Sequence, residues 1–304
     1  MKNKTLISVV GPTAIGKTST GIALAQHYQT EIISADSRQF FKEMEIGTAV
    51  PSSEELAAAK HHFIQHISVE DEYSVGDFET EAIEKLNKLF KQHNQVLMVG
   101  GSGLYVKAVL EGLDHFPKVE ASVREQLNLQ LEEDGIEKLQ QQLKELDPVY
   151  AEKVDLENPH RVIRALEICI GSGKPYSSFL NNSSAERNFN TIKIGLTAPR
   201  ELIYERIEKR VDLMIEQGLL DEVKRVYEKR DLNALNTVGY KEIFQFFDGN
   251  WTLDFAIAEI KKNTRRFAKR QLTWFRKDEE IEWFNYDVKP QEIINFIDFK
   301  MSPR

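Results

Sequence analysis

The sequence has one cysteine and no long hydrophobic run. A chain whose only thiol is Cys169 cannot form an internal disulfide or a zinc site built on several thiolates. The apolar run before Gly11 is too short for a signal-peptide core, and no other run reaches membrane-spanning length. We therefore expect a cytoplasmic protein of a reducing compartment that does not bind a membrane.

An excess of positive charge is also lacking. The 304 residues include 40 Lys and Arg against 48 Asp and Glu, for a formal net charge of −8. This balance argues against an all-over basic coat for nucleic acid, although a local basic groove remains compatible with it. Hydrophobic residues make up 41% of the chain, enough for one large domain or for a core with a smaller companion.

Short apolar runs alternate with stretches of helical periodicity over the first hundred residues. Residues 6–10, 31–34 and 96–99 have the pattern of buried strands, whereas residues 18–28 and 77–92 have amphipathic helical spacing. Strands that alternate with helices indicate βαβ units. We predict an α/β fold with a P-loop NTPase-like parallel sheet core.

The strand pattern stops near Pro117 and returns at residues 192–196. The intervening segment shows only helical periodicity, and helices are also predicted for the C-terminal region. We therefore predict a catalytic core of residues 1–116 and 187–304, interrupted by a helical insertion domain of residues 117–186.

Two helices of the insertion have recognisable ends. Leu139, Leu143 and Leu146 share a helical face, and that helix should end before Pro148. Asn158 is followed by proline, a pair suited to the N-cap and first turn of the next helix.

Residues 11–18 match the phosphate-loop pattern G-x-x-x-x-G-K-[ST], after a predicted strand and before a predicted helix. In such a loop, backbone N–H groups turn toward one concavity at a helix N-terminus, where negative charge is favoured. Lys17 adds positive charge, and the Thr18 hydroxyl is suited to ligate Mg²⁺. The predicted diphosphate site comprises Gly11, Thr13, Ala14, Ile15, Gly16, Lys17 and Thr18.

The acid expected of an ordinary nucleotide hydrolase is missing. P-loops usually bind ATP or GTP, with a metal also held by an acid that ends a neighbouring strand. Here residues 96–99 lead into Gly100-Gly101-Ser102-Gly103, without Asp or Glu. This absence argues against an ordinary NTPase.

Asp36 follows the second predicted strand directly, which places it at the carboxyl edge of the sheet beside the P-loop. There it could ligate Mg²⁺ through water or act as a general base, and a turn or helix-cap aspartate is an equally good interpretation. Ser37, Arg38 and Gln39 follow it, and amide and guanidinium groups of this kind can pair with a base or a phosphate.

Positive charge is concentrated in residues 261–277, which contain eight Lys or Arg and no acid. At helical spacing they form one continuous stripe, with Phe267 and Leu272 expected to anchor the helix and Trp274 and Phe275 expected to help. In a chain of negative net charge the stripe indicates contact with a nucleic-acid backbone, the alternative being a solvated helix face. Its members are Lys261, Lys262, Arg265, Arg266, Lys269, Arg270, Arg276 and Lys277.

Two smaller basic sets leave alternatives open. His160, Arg161 and Arg164 begin the helix capped by Asn158, where they could contact nucleic acid or pair with nearby glutamates. Arg206 and Arg210 share a helical face, so that one could reach the anion of the P-loop, or both could pair with neighbouring acids.

Taken together, these motifs resemble the bacterial tRNA dimethylallyltransferase (tRNA isopentenyltransferase) family over nearly the whole chain. The similarity is carried by residues 11–18, 36–39, 46–49, 61–64, 73–78, 100–105, 158–167, 238–242 and 264–275. The chain departs from the family at Phe41, where tyrosine is common, and at Val50, where lysine is common. Contacts by that hydroxyl and that cation are therefore not expected here.

The resemblance implies transfer of a dimethylallyl group from dimethylallyl diphosphate to N6 of adenosine 37 in tRNA, with Mg²⁺. It implies Asp36 as general base, with Lys17, Thr18 and Arg210 around the diphosphate. We expect a monomer that contacts the tRNA anticodon stem-loop. The residues implied to lie near tRNA are Ser37, Arg38, Gln39, Phe40, Ser102, Arg124, His160, Arg161, Val162, Ile163 and Arg164, and those expected from the basic stripe are Arg265, Arg266, Lys269 and Arg270.

Three other functions are compatible with parts of the sequence. A P-loop small-molecule kinase accounts for residues 11–18 but not for the basic stripe or the insertion. A prenyltransferase of free adenine nucleotides is a closer alternative, but the tRNA-binding helix implied for residues 158–167 argues against it. A non-catalytic RNA-binding protein would not need Asp36.

Overall fold

Six parallel strands form one sheet in a computed structural model of the chain, which describes residues 4–180 and 186–302. They are β1 (Thr5–Val10), β2 (Ile32–Ser34), β3 (His61–His62), β4 (Gln95–Gly100), β5 (Asn190–Thr197) and β6 (Glu282–Asn285). The spatial order is β3-β2-β4-β1-β5-β6, and every neighbouring pair is parallel. All residues of the central β1 are buried. The predicted α/β class with a P-loop-like parallel sheet is confirmed.

Contacts divide the chain into two compact units, a core unit of residues 1–110 and 187–304 and a helical unit of residues 111–186. In the core unit the helices are α1 (Lys17–Tyr28), α2 (Ser53–Ala58), α3 (Val75–Leu89), α4 (Gly103–Glu111, whose last residue falls in the helical unit), α9 (Arg200–Glu216), α10 (Leu219–Arg225), α11 (Tyr240–Phe247), α12 (Leu253–Phe275) and α13 (Pro290–Met301). Every helix within the described residues is too short or too polar to cross a lipid bilayer.

Two of the strands are absent from the sequence-based prediction. β3 has only two residues, and β6 lies in the C-terminal region for which only helices are predicted. β6 is an edge strand that pairs with β5 alone, and its residues are half-buried or exposed. Such a strand carries too weak an apolar pattern to be recognised from periodicity.

A close approach of two chain segments places Asp36 at the carboxyl edge of the sheet. The N–H of Ala35 donates to the carbonyl of Val99 at 2.8 Å, and the N–H of Ser102 donates to the carbonyl of Ala35 at 3.2 Å. A side chain at Gly100 would lie 2.2 Å from that same carbonyl. Glycine at position 100 therefore allows the chain after β2 to lie directly over the end of β4.

The helical unit contains α5 (Ala121–Asp134), α6 (Ile136–Leu146), α7 (Pro148–Ala151) and α8 (Pro159–Ser172). As predicted, α6 ends before Pro148, and the Asn158 side chain caps α8 by accepting from the N–H of Arg161 at 3.3 Å. The unit has its own core, which includes Leu127, Leu139, Leu143, Val162 and Leu166.

We expect Leu143→Ala to lower the free energy of unfolding of the helical unit by about 2–5 kcal/mol, because it leaves a cavity in a fully buried site. Leu146 lies on the same helix but is 41% exposed, so Leu146→Ala is the matched control and should change stability little. Hydrogen exchange of α5–α8 measures both effects. Equal protection factors in the two variants would contradict this account of the core.

Candidate active site

The loop between β1 and α1 forms a cradle for an anion. Gly16 is the N-cap of α1 and provides no side-chain cap, so the first N–H groups of the helix remain available. Ala14, Gly16, Lys17 and Thr18 line a cavity of about 620 Å³, hereafter the phosphate cavity. Of the other residues predicted here, Ile15 lines this cavity but has its side chain in the core, and Gly11 lines neither this cavity nor the second one described below.

Three hydrogen bonds hold the loop in shape. Lys17 Nζ donates to the carbonyl of Pro12 at 2.8 Å, and Arg206 Nε donates to the carbonyl of Ala14 at 2.7 Å. The N–H of Thr13 donates to Gln271 Oε1 at 2.8 Å. Because that N–H is already bonded within the protein, Thr13 can donate to an anion only through its hydroxyl. Sequence reasoning did not identify Gln271, although it lies in the basic segment.

Charges of both signs interact where the loop faces Asp36. Burial raises the pKa of the Asp36 carboxyl, although Lys17, Arg38 and Arg210 oppose the shift. Burial lowers the pKa of Lys17 to about 8, which the charge of Asp36 partly offsets. Burial and the neighbouring Arg206 guanidinium lower the pKa of Arg210. A carboxylate with a raised pKa beside cations is a feature of acid–base sites.

A second cavity of about 500 Å³, hereafter the acceptor cavity, adjoins the phosphate cavity. Apolar residues such as Val211, Val238 and Phe267 contribute to its walls. Six residues belong to the walls of both cavities, namely Thr13, Asp36, Thr48, Ala49, Arg210 and Met214. A group bound in one cavity can therefore meet a group bound in the other beside Asp36 and Arg210.

Three of the polar residues predicted near tRNA line the acceptor cavity, namely Ser37, Arg38 and Ser102. The N–H of Ser37 donates to Ser102 Oγ at 2.9 Å. Arg38 Nη1 donates to the carbonyls of Asn233 and Ala234 at 3.3 and 2.8 Å. These contacts fix the three side chains in the wall of the cavity.

The next two residues have internal roles. Gln39 lines the phosphate cavity, where its Nε2 donates to the carbonyls of Thr48 and Ala49 at 3.2 and 2.9 Å. Phe40 is 1% exposed and stacks on Phe78 in the core. Core packing therefore hides the ring of Phe40, and the proximity of this residue to tRNA stays a prediction.

A buried carboxylate shapes the wall between the cavities. Glu222, 1% exposed, accepts from the N–H groups of Glu45, Ile46 and Gly47 at 3.0, 2.8 and 2.9 Å. It also accepts from the hydroxyl of Tyr240 at 2.6 Å. Because four donors converge on one side chain, the segment before Thr48 and Ala49 has a single arrangement. Tyr240 lies in a motif that carried the family resemblance, but no sequence signal identified Glu222.

The two departures from the family pattern lie in different surroundings. Phe41 is buried with Met44 and Val69 and lines neither cavity. Val50 lines the phosphate cavity. Only the second departure therefore changes the surface that a ligand would meet, by replacing a cation with an apolar group.

The first half of the basic stripe is ion-paired on α12. Salt bridges join Lys261 to Asp212, Lys262 to Glu259 and Arg265 to Glu208. For these three residues the structure shows pairing with acids of the protein, which neither the predicted nucleic-acid contact nor the alternative of a solvated helix face included.

The second half of the stripe is exposed. Arg266, Lys269, Arg270 and Lys277 line a groove of about 480 Å³ together with Thr273 and Trp274, hereafter the basic groove. Among the salt bridges of the described residues, none involves any of these four cations. Their charge is therefore available to a polyanion.

The residues that anchor α12 agree in part with the expected ones, since Phe275 is buried and Leu272 packs against the core. Phe267 is 38% exposed and lines the acceptor cavity, so the expectation that it anchors the helix is wrong. Ala268, Gln271 and Phe275 are the buried residues of this stretch. The buried face includes polar Gln271, which an apolar pattern does not mark.

The helical unit places its predicted tRNA contacts in two environments. His160 and Arg161 are exposed. Val162 and Ile163 are 0% and 3% exposed in the core of the unit, so their side chains pack inside the protein, and their proximity to tRNA stays a prediction. Arg164 Nη1 lies 2.9 Å from Glu167 Oε2, which is the ion pairing that the sequence left open as an alternative for this residue. Arg124 Nη1 lies 3.3 Å from the same oxygen, a pairing that the sequence did not predict.

The phosphate cavity is lined by oxygen ligands suited to bind Mg²⁺ together with a substrate phosphate. The hydroxyl of Thr18 and the carboxylate of Asp36 both line it, and within the described residues no group of three acidic, His or Cys side chains could hold a metal ion. Mg²⁺ is commonly bound by one or two protein oxygens together with substrate phosphates. These residues therefore fit Mg²⁺ only as part of a complex with a diphosphate.

Comparison with known proteins agrees with this geometry. The family model described as IPP transferase matches residues 39–278. The tRNA dimethylallyltransferase of Christiangramia forsetii is 64% identical over 297 residues, which cover 98% of each chain. The chain belongs to the IPP transferase family. The resemblance inferred from the motifs is confirmed.

Solved structures of IPP transferases have the same fold. The tRNA isopentenylpyrophosphate transferase of Bacillus halodurans is 38% identical, with a TM-score of 0.74 over 98% of this chain and 97% of that one. A eukaryotic dimethylallyltransferase, solved acting on tRNA, is 26% identical, with a TM-score of 0.80 over 97% of this chain and 80% of that one.

We expect the affinity of this IPP transferase for inorganic diphosphate to fall as the pH rises through about 8. The pKa of Lys17 is about 8 in the free protein, so the ammonium that attracts the anion is lost above that pH. Calorimetric titration between about pH 7 and about pH 9.5 measures the effect, with Lys17→Arg as the control because a guanidinium stays charged. A decline of the same size in Lys17→Arg would assign the titration to another group.

Proposed function

We propose that this protein transfers the dimethylallyl group of dimethylallyl diphosphate to N6 of adenosine 37, beside the anticodon of tRNA. The observation that carries the proposal is the junction of the two cavities at Asp36 and Arg210. One cavity has the cradle of a diphosphate, and the other has the size and apolar walls suited to an extruded base. The names of the relatives support the same assignment.

The donor diphosphate would occupy the phosphate cavity. The N–H groups at the start of α1 and the Lys17 ammonium would bind its oxygens. Mg²⁺, held by Thr18 and the diphosphate, would neutralise negative charge on the leaving group. Arg210 would stabilise the charge that develops on the bridging oxygen as the carbon–oxygen bond breaks.

The acceptor adenine would enter the other cavity. Its exocyclic amine is a poor nucleophile because the nitrogen lone pair is delocalised into the purine. As the bond from N6 to the allylic carbon forms and diphosphate departs, the Asp36 carboxylate would accept the N6 proton. The adenosine must leave the stack of the loop to reach this position.

The tRNA itself would be held by charge on exposed side chains. Arg266, Lys269, Arg270 and Lys277 of the core unit have no carboxylate partner among the described residues. In the helical unit, His160 and Arg161 are exposed. An acidic protein with local cations of this kind binds a polyanion without a general basic surface.

The principal experiment incubates the protein with labelled dimethylallyl diphosphate and several acceptors. We expect label in an anticodon stem-loop with adenosine at position 37 and none when that position is guanosine. Transfer to AMP instead of the stem-loop would favour a prenyltransferase of free nucleotides. Turnover of ATP with a small acceptor, without prenyl transfer, would favour a kinase.

We expect Asp36→Ala and Asp36→Asn to lower kcat by about 10²- to 10⁴-fold, because neither side chain can accept the N6 proton. The dissociation constant for tRNA should change little. Glu55 lines the phosphate cavity but not the acceptor cavity, so Glu55→Gln is a control with the same loss of charge. Normal turnover in Asp36→Asn would refute the assignment of the base.

The pKa of Asp36 is raised above the usual value for aspartate, and the carboxyl must be ionised to act as a base. We therefore expect the fall of kcat/KM on the acid side to occur at a higher pH than for an ordinary aspartate. Activity should therefore be lost as the pH falls through the raised pKa. A pH profile of kcat/KM, measured with tRNA well below saturation, shows the limb of the free enzyme.

We expect replacement of Arg266 and Lys269 by Gln to weaken tRNA binding at low salt. Each cation that contacts a phosphate should lower the slope of log affinity against log salt concentration by about one. Lys261 is ion-paired with Asp212 on the same helix, so Lys261→Gln is the matched control. An unchanged salt slope in the Arg266 and Lys269 variants would mean that tRNA binds elsewhere.

A further inference from the structure

Trp274 lies where the acceptor cavity meets the basic groove. It lines the acceptor cavity, with Phe267 and Arg270, and it also lines the basic groove, with Lys269 and Lys277. Its side chain is 41% exposed. A large aromatic ring at such a junction is available to any ligand that passes from the groove into the cavity.

One face of the indole is already covered by protein. A side-chain carbon at Gly103 would lie 2.3 Å from both Cδ1 and Nε1 of Trp274 and 2.7 Å from Cγ. A point at such similar distances from three ring atoms lies above the ring and not beside its edge. The ring therefore rests face-on against Gly103, and the glycine leaves no space for movement toward it. Gly103 covers the five-membered ring on this side, and we take the exposed part of Trp274 to be the opposite face and the rim.

The surroundings of the exposed face select a nucleic acid. Arg270 and Lys277 lie four residues before and three residues after Trp274 along the chain, and Lys269 lines the same groove. Cations beside an open aromatic face are the combination that binds unpaired nucleotides, because phosphates meet the cations while a base stacks on the ring.

We propose that Trp274 is the stacking platform for an unpaired nucleotide adjacent to the adenosine that enters the acceptor cavity. This proposal rests on the proposed function, since it takes the RNA loop as the ligand of the groove. A base of a paired stem could not reach the ring, because its faces are covered by its neighbours. The platform would hold the loop open while the target base is extruded.

The test compares Trp274→Leu with Trp274→Phe in binding to an anticodon stem-loop. Trp274→Leu should weaken binding roughly 5- to 100-fold, the range expected for loss of one base–aromatic stack, and Trp274→Phe should recover much of it. The salt slope should stay unchanged, because no charge is removed. Trp251 lies just before the same helix and lines neither surface, so Trp251→Leu is the matched control.

A double-mutant cycle identifies the stacked nucleotide. Stem-loops with one abasic site, before or after the target adenosine, are titrated with wild-type protein and with Trp274→Leu. Removal of the stacked base should weaken binding to the wild type and leave binding to the variant unchanged. Equal losses in both proteins at every abasic position would overturn the proposal.

Other outcomes separate this proposal from the function on which it rests. If wild-type protein prenylates the stem-loop and Trp274→Leu binds it with unchanged affinity, only the platform is wrong. If Trp274→Leu raises KM for dimethylallyl diphosphate and leaves RNA affinity unchanged, the ring contacts the prenyl chain instead. If the wild type neither binds nor prenylates the stem-loop, the proposed function itself fails. Diphosphate affinity and Tm, measured for each variant, detect a general loss of structure.

Discussion

The arrangement of the site depends on the interaction between the Asp36 carboxylate and the cations Lys17 and Arg210. Each of these charges is costly to bury alone. The carboxylate offsets part of the cost of burying either cation, and both cations offset part of the cost of burying the carboxylate, although the two cations repel each other. The cluster lies where a phosphate-binding cavity meets a cavity for a second substrate. A leaving group and a proton can therefore depart in different directions from one reaction centre.

Several buried contacts keep that centre in place. Gly100 allows the chain that carries Asp36 to lie over the end of β4. Gln271 links the P-loop at Thr13 with the carbonyl of Gly101 at 3.0 Å, and so connects α12 with both strand ends. Glu222 fixes the cavity wall through three N–H groups. None of these contacts needs to touch a substrate, and all of them restrict where a substrate can lie.

Helix α12 combines structural and binding roles along its length. Its first basic residues are neutralised by acids of the protein, and its later ones are exposed beside Trp274. Arg270 and Trp274 are exposed, whereas Gln271, which lies between them in the sequence, is buried and contacts the P-loop. A tRNA bound along the later part of the helix would therefore be positioned by the same element that braces the diphosphate site.

The amino-acid sequence alone determined the parallel α/β class, the P-loop, the family and the placement of Asp36 beside the loop. These follow from local patterns, since apolar periodicity and glycine spacing are properties of neighbouring residues. Only the tertiary structure showed which cations of α12 are paired and which are exposed. It also showed that Phe40, Val162 and Ile163 are buried and that Phe267 is exposed. It alone identified Glu222 and Gln271, because a buried hydrogen bond joins residues distant in the chain and leaves no mark on the local pattern around either partner.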